Sequence, residues 1–395
     1  MNLLYKNKMS KENLSKEELL RYSRHLALPE VGKEGQTKLK KAKVLIIGAG
    51  GLGNAAAMYL AAAGIGTIGI ADYDKVEHSN LQRQVLYSNE DMGKPKTAII
   101  KGKLKKINPN TRIITHNKKL ASNNALSIIK VYDLVIDGSD NFPTRYLVND
   151  ACILSEKPNV YGSVNRFDGQ ASVFNYNKGP CYRCLFPNKP EQNLIPNCSE
   201  SGILGVLPGV IGTIQATEAI KIILGEGITL SGRLLVYNAL NMTFLELNVK
   251  KKGKCEACSE NARIKKLVDY KDNCNSLKGY KGNQGDKESI TPKELKLIID
   301  NAEDFELIDV REKAEQEICG IANAKLASFT SIAGENFGIF GSISKNKKIV
   351  LYCHTGNRSA YVLELLKKKG FTNAKNLVGG IDAWAKEIDD RVAVY

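Results

Sequence analysis

Apolar residues along this chain come in short bursts, split by glycine-rich turns and by stretches of helical spacing, which predicts alternating strands and helices. The first clear case is Val44-Leu45-Ile46-Ile47, followed by a glycine cluster, an alanine-rich stretch, a second glycine break and the strand Thr67 to Ile70. The run from Val44 to Ala71 carries no charge and is longer than the ~20 residues of a membrane span. Its glycine breaks divide it into a βαβ unit with strands apolar on both faces, as in a covered parallel sheet. Ser15-Lys16-Glu17-Glu18 predicts a capped helix start ahead of Arg21-Tyr22-Ser23-Arg24. Further bursts, Leu134-Val135-Ile136 and Val160-Tyr161-Gly162 among them, predict an α/β domain with a largely parallel sheet over residues 15–269.

The polar stretch KDNCNSLKGYKGNQGDKE has almost nothing to bury, so 270–289 is expected to be a flexible linker. Thr291-Pro292-Lys293-Glu294 then signals a helix start. The strands Phe305 to Val310 and Ile349 to Tyr352 predict a second, smaller α/β domain over 290–395. No internal repeat is found.

Composition narrows this picture only a little. With 395 residues, 43% hydrophobic and 25% charged, the chain is neither collagen-like nor wholly disordered. The formal charge of +15 favours acidic partners without selecting one, and basic residues interleaved with aromatics are not concentrated enough to expect direct nucleic-acid binding. The polar start MNLLYKNKMSKENLSKEE has no apolar core or small-residue cleavage site. No secretion signal and no membrane partner are expected, and the cytoplasm is the expected compartment. Nine cysteines, four of them in two Cys-x-x-Cys pairs, point in a reducing compartment to metal or redox chemistry before structural disulfides.

The turn Gly48-Ala49-Gly50-Gly51-Leu52-Gly53 follows a strand and opens a helix, so backbone N–H groups and the helix N-terminus would approach a phosphate. Asp72, closing the next strand, is placed for ribose hydroxyls. Alone, this serves a nicotinamide dehydrogenase as well as an ATP enzyme. The residues that follow separate the two: Ser79, Asn80 and Arg83 in SNLQRQ, Lys96 in GKPK, and Asp140-Asn141 after the strand Leu134 to Asp137. A triphosphate needs cations for its charge and a carboxylate for its magnesium, whereas a dinucleotide needs neither in this number.

Those segments, with RYSRHLALPEVGKEGQ, DGSDNFPTRYLVND, GPCYRCLFP and GVLPGVIGTIQATEAIK, resemble the MoeB/ThiF family of adenylating enzymes, relatives of the ubiquitin-activating enzymes. The resemblance implies a Rossmann-like adenylation domain. It also implies that Gly51, Asp72, Asn80, Arg83, Lys96, Asp140 and Asn141 bind ATP and its Mg2+, and that Arg24 reaches into the partner subunit's site in a homodimer.

Cys181 and Cys184, with Cys255 and Cys258, form two thiolate pairs whose spacing lets four sulfurs meet one tetrahedral ion. A redox dithiol would explain one pair but not both, so a structural zinc is expected, and the resemblance implies the same site. Cys198, in the polar stretch Pro196-Asn197-Cys198-Ser199-Glu200, suits an exposed nucleophile or a dispensable loop thiol. In the family a cysteine here is associated with capture of the activated carrier or with sulfur transfer. Cys152, Cys274 and Cys319 match no motif.

In the second domain the strand Ile349 to Tyr352 delivers Cys353 into His354-Thr355-Gly356-Asn357-Arg358-Ser359, with a helix expected from about Ala360. Loop N–H groups, the helix N-terminus and Arg358 would together favour a thiolate and hold an anion on sulfur. With DVRE at 309–312 and GGIDAW at 379–384, this resembles the rhodanese active loop. Cysteine phosphatases use a similar strand, loop and helix, but place five residues between Cys and Arg. Here four intervene, which makes a ring better sized for a persulfide sulfur than for a phosphoryl group. The segment CGIANA at 319–324 departs from the His-Ile-Pro-Gly-Ala run common in rhodaneses, which bears on local packing more than on chemistry.

Joined, the two resemblances imply an ATP-dependent adenylyltransferase fused to a sulfurtransferase. Its substrate would be the C-terminal glycine of a ubiquitin-like sulfur-carrier protein, and its sulfur would come from a donor such as a cysteine desulfurase through Cys353, the linker letting the sites meet. Molybdenum cofactor, thiamine, cysteine and tRNA-thiolation pathways all use such proteins. Adenylation for protein conjugation without sulfur transfer is the alternative. A dehydrogenase would leave Lys96, Asp140 and Cys353 without a role, and a noncatalytic scaffold would show no pyrophosphate exchange.

Overall fold

The computed structural model describes residues 14–187, 202–270 and 288–393. The chain divides into two units, Met1–Tyr270 and Lys271–Tyr395. Cys198 and Cys274 lie outside the described residues.

The first unit is built on an eight-stranded sheet of order β3-β2-β1-β4-β5-β6-β7-β8. β1 (Lys43–Ile47), β2 (Thr67–Ala71), β3 (Arg112–His116), β4 (Leu134–Asp137) and β5 (Asn159–Asn165) run parallel. Their apolar residues are buried because helices cover both faces. β6 (Asp168–Phe174), β7 (Arg233–Asn238) and β8 (Thr243–Asn248) then turn antiparallel, so the largely parallel expectation holds for five strands only. β8 closes the edge with every residue exposed.

Helix Gly51–Ala63 leaves β1 directly, and its small residues Ala55, Ala56 and Ala57 are buried. Helix Leu207–Leu224 packs closely on it. That second helix is long and apolar enough to cross a membrane, yet half of its apolar window is buried inside the fold. The expected helix start at Ser15 is a full capping box: the Ser15 hydroxyl accepts from Glu18 N at 3.2 Å and Glu18 Oε2 accepts from Ser15 N at 2.8 Å.

In the second unit five parallel strands lie in the order β11-β10-β12-β13-β9. They are β9 (Ser289–Ile290), β10 (Glu306–Asp309), β11 (Lys325–Leu326), β12 (Ile349–Tyr352) and β13 (Ala374–Leu377). β12 is central and wholly buried, and separate apolar clusters fill the two faces beside it. Thr291 caps helix Pro292–Asp300 at the expected start, through a capping box with Glu294. Tyr270 and Ser289, expected within the linker, are structured: Tyr270 packs on the first unit and Ser289 pairs with β13.

Candidate active sites and metal centre

The first unit's cleft opens where the strand order reverses, between β1 and β4, at the strands' C-terminal ends. It has a volume of about 1100 Å³ including space open to solvent. Gly48, Gly50 and Gly51 line its floor. Gly53 sits behind them, where a Cβ would meet the Gly48 carbonyl oxygen at 1.9 Å, so only glycine lets the helix start this close to the strand.

Asp72 lines the cleft, and its two oxygens accept Ala49 N and Asp74 N, each at 2.7 Å. Burial raises its carboxyl above the ordinary range against the pull of those two bonds. Lys96 is buried, with Nζ 3.2 Å from Asp74 Oδ2. Arg83 reaches the cleft with its Nη1 donating to Ser79 O at 2.7 Å. Asp140 is exposed at the mouth, and Asn141 Nδ2 donates to its Oδ1 at 3.2 Å. Asn141 also caps helix Phe142–Leu154, its Oδ1 accepting Thr144 N at 2.9 Å.

The structure thus brings Gly48, Gly50, Gly51, Asp72, Arg83, Lys96, Asp140 and Asn141 to one cleft. Ser79 and Asn80 stand behind it. Asn80 is buried and accepts Glu77 N, while the Ser79 backbone orients Arg83. Arg24 is exposed on the short helix Ser23–Leu26 and does not line this chain's own cleft.

Sequence reasoning missed Asp74, Lys118, Lys119 and Arg145, which also line the cleft. Arg145 is buried, donates to Ser139 O from Nε at 3.3 Å and Nη2 at 3.1 Å, and lies over the rings of Phe142 and Tyr161. It stands inside the segment DGSDNFPTRYLVND, so a signal was present there. Asp74 likewise stands two residues after Asp72 in DYDKVEHSNLQRQ, but nothing local marks its pairing with Lys96, 22 positions away.

Cys181, Cys184, Cys255 and Cys258 converge, with all four sulfurs within 4.8 Å of one another. Cys181 lies 3.9 Å from Cys184 and 3.6 Å from Cys255, and Cys184 lies 3.4 Å from Cys258. Sulfurs at 2.3 Å from one tetrahedral ion stand ~3.8 Å apart, so the arrangement could hold zinc. The Cys181 and Cys258 thiols and Lys252 N, all directed at Cys184 Sγ, pull its thiol far below the ordinary range. Its neighbour Cys181 is pushed up by its bond to Cys184, by burial and by like charge. A cation removes that conflict. Beside the cluster, Arg183 forms a two-pronged pair with buried Asp150, Nε to Oδ1 at 2.8 Å and Nη2 to Oδ2 at 2.9 Å, and Tyr270 donates to the same carboxylate at 2.5 Å.

In the second unit Cys353 follows β12 and is buried, its Sγ accepting Gly356 N at 3.2 Å and Ser359 Oγ at 3.4 Å. The loop carbonyls are held from below: Ile381 N donates to Cys353 O at 2.9 Å and Asp382 N to His354 O at 3.1 Å. A Cβ on Gly380 would lie 2.3 Å from Cys353 O, so the second GGIDAW glycine is what permits this seat. The helix after the loop starts at Asn357, three residues earlier than expected, because Gly356 at φ +90° turns the chain directly into it.

Arg358 is nearly buried, and both of its terminal nitrogens donate to Glu315, Nη1 to Oε2 at 2.7 Å and Nη2 to Oε1 at 2.6 Å. The departure at 319–324 is accommodated by fully buried Arg311, which pairs with Asp309 and donates to Cys319 O at 2.7 Å. Burial lowers the His354 imidazole below its ordinary value, against the pull of Asp382 and Glu315.

Comparison with known proteins agrees with both domains. The ThiF family matches residues 22–257 and the rhodanese-like domain family residues 291–387. The probable adenylyltransferase/sulfurtransferase MoeZ of Mycobacterium tuberculosis is 44% identical over 97% of this chain and 96% of its own length. The sulfur carrier protein adenylyltransferase of Thermus thermophilus is 49% identical over 66% of this chain and 98% of its own. The crystal structure of E. coli MccB with AMPCPP and MccA superposes with a TM-score of 0.56 and 26% identity, covering 63% of this chain and 76% of that one.

Proposed function

This chain belongs to the ThiF family and carries a rhodanese-like domain, and from that premise we propose that it adenylates the C-terminal glycine of a ubiquitin-like sulfur-carrier protein and then supplies it with sulfur. It is an enzyme, an adenylyltransferase and sulfurtransferase. The observation that carries this is the pairing, in one chain, of a cleft gathering Asp72, Arg83, Lys96 and Asp140 with a loop cradling Cys353.

In the cleft the glycine floor and Asp72 would hold the nucleotide, with Arg83 and Lys96 beside its phosphates. The carrier's carboxylate attacks the α-phosphorus, its new O–P bond replacing the bond to pyrophosphate, which leaves with the electron pair. Arg83 and Lys96 face the charge that grows on the phosphoryl oxygens. Asp140, an exposed carboxylate at the mouth, suits Mg2+, a hard cation taken by one or two carboxylates plus phosphates, which when bound neutralises phosphate charge. The Asp74 carboxylate holds Lys96 until nucleotide replaces it.

Cys353 accepts sulfur from a persulfide donor such as a cysteine desulfurase. Its terminal sulfur attacks the acyl adenylate and AMP departs. A thiol reductant then cleaves the S–S bond, leaving the thiocarboxylate on the carrier. The roles assigned to Gly48, Gly50, Gly51, Gly53, Asp72, Ser79, Asn80, Arg83, Lys96, Asp140 and Asn141 belong to this reading, as do domain limits of 15–269, 270–289 and 290–395. Cys198 is proposed as a thiol that assists capture or transfer.

The four-cysteine cluster is proposed to hold a structural zinc, and the protein to act as a cytoplasmic homodimer in which Arg24 completes the partner subunit's site. Arg24 stands exposed and away from its own cleft, which supports that placement. Mixing inactive Arg24→Ala and Asp140→Ala chains should then restore part of the activity, and an inactive mixture counts against the shared site.

The deciding experiment is pyrophosphate exchange into ATP with candidate carriers. Exchange should depend on the carrier, vanish in Asp140→Ala and persist in Cys353→Ala. Thiocarboxylate formation should vanish in Cys353→Ala. No exchange with any carrier tried overturns the adenylation reading.

A further inference from the structure

The last described residues of the first unit close back on a wall of the nucleotide cleft. Lys118, Lys119 and Leu120 line that cleft from the loop after β3. Asp72 N donates to His116 O at 3.2 Å, so this loop leaves the sheet beside the carboxylate placed for ribose. Two residues past Leu120, Ser122 is gripped by Asp269: Ser122 N donates to Oδ1 at 2.7 Å and Ser122 Oγ to Oδ2 at 2.8 Å. Both oxygens of one carboxylate thus engage a single residue 147 positions away. The Ser122 N–H, and then its hydroxyl, hold the Asp269 carboxyl below the ordinary range, so both bonds are charge-assisted at neutral pH. Asp269 is itself kept in place by its neighbours. Leu267 packs on the apolar cluster that contains Leu120, and Tyr270 donates to Asp150 at 2.5 Å. Asn124 braces the same loop from within, its Nδ2 donating to Lys119 O and its Oδ1 accepting Ala121 N, each at 3.0 Å.

We propose that Asp269 is a positioning residue for the nucleotide: through Ser122 it fixes the loop carrying Lys118, Lys119 and Leu120 against the cleft, so that the segment leading out of the adenylation unit sets the affinity for ATP. The proposal deepens the adenylation reading and rests on it. Asp269 does not itself line the cleft, so it acts through the loop and not on the reacting atoms. A loop that is already fixed loses little conformational freedom when a ligand arrives, whereas a loose one must be ordered at the expense of affinity. With the latch open, the three lining residues would be ordered only as ATP binds, and KM for ATP rises. The glycine floor, Arg83 and Lys96, which face the phosphates in this reading, belong to other segments and make no bond to the latch, so kcat holds. Two anchors on one short segment give it this reach: Asp269 holds the cleft loop while Tyr270 holds the Asp150–Arg183 pair beside the four cysteines.

The test is carrier-dependent pyrophosphate exchange by the full chain with ATP varied, beside thermal unfolding of the same samples. Asp269→Ala should raise KM for ATP roughly 5-fold or more, while kcat and KM for the carrier stay within about 2-fold of the parent chain. Ser122→Ala removes the hydroxyl donor alone and should raise KM less. The double variant should match Asp269→Ala, because both residues act through one contact. Ser122→Thr keeps both donors and should leave KM for ATP within about 2-fold of the parent. Asp269→Asn keeps one acceptor and should give an intermediate rise, which is read even where the alanine chain does not fold. A KM for ATP unchanged in the Asp269 variants, whether or not Tm falls, marks a merely structural bond and overturns the assignment, as do additive effects in the double variant. A parent chain that exchanges with no carrier overturns the adenylation reading and this inference with it.

Discussion

Single residues carry the chemistry here because the fold commits most of their neighbours elsewhere. Lys96 is buried, and its side-chain contact is an exposed carboxylate, so its charge is poised for transfer to phosphate. Lys96→Ala should therefore lower carrier-dependent exchange by about 100-fold or more, the scale of one lost electrostatic contact in a transition state. His354 gives a pH prediction. Its folded imidazole protonates below the ordinary 6.5, so the unfolded chain binds the proton first. Stability from this residue is whole above 6.5 and is lost as the pH falls beneath it. The single tryptophan, Trp384, is buried in the second unit and reports its unfolding. Urea midpoints read by its fluorescence should drop from pH 7.5 to 5.5, and His354→Asn should flatten that drop. Lys96, Asp140 and Cys353 were legible because ordered segments announced them. The pairings of Asp74 with Lys96 and of Glu315 with Arg358 were not, since they span 22 and 43 positions.

At the level of elements, the sulfur cluster and the ion pair beside it form one assembly. Asp150 lies on helix Phe142–Leu154 and holds Arg183, which sits between the first two cysteines. Tyr270 closes over the pair, its ring beneath the guanidinium. Removing one partner of such a pair leaves a buried charge uncompensated, so Asp150→Asn should cost about 3 kcal/mol in denaturant unfolding of the first unit. Purified protein should contain one zinc per chain, and Cys184→Ser should lose it and lower Tm by roughly 10 °C or more. Metal analysis and calorimetry check both, and a metal-free parent of unchanged Tm would exclude a structural ion. The two Cys-x-x-Cys spacings were readable. The clasp was not, because nothing local marks Asp150 or Tyr270 as the residues that Arg183 meets.

Across the molecule, each unit has its own sheet and its own apolar clusters. The parallel halves were readable because continuous apolar strands alternate with capped helices, whose signals are local. The antiparallel strands β6, β7 and β8 escaped that reading. Their pairing is fixed by register across the sheet, and β8, although Leu245, Glu246, Leu247 and Asn248 alternate, is exposed along its whole length and so marks no buried face. The cysteines of the cluster lie 74 positions apart in two pairs, 181 with 255 and 184 with 258. With an ion seated, the span between them is a closed ring. A protease nick anywhere inside it would then be silent on a native gel until a chelator let the fragments part.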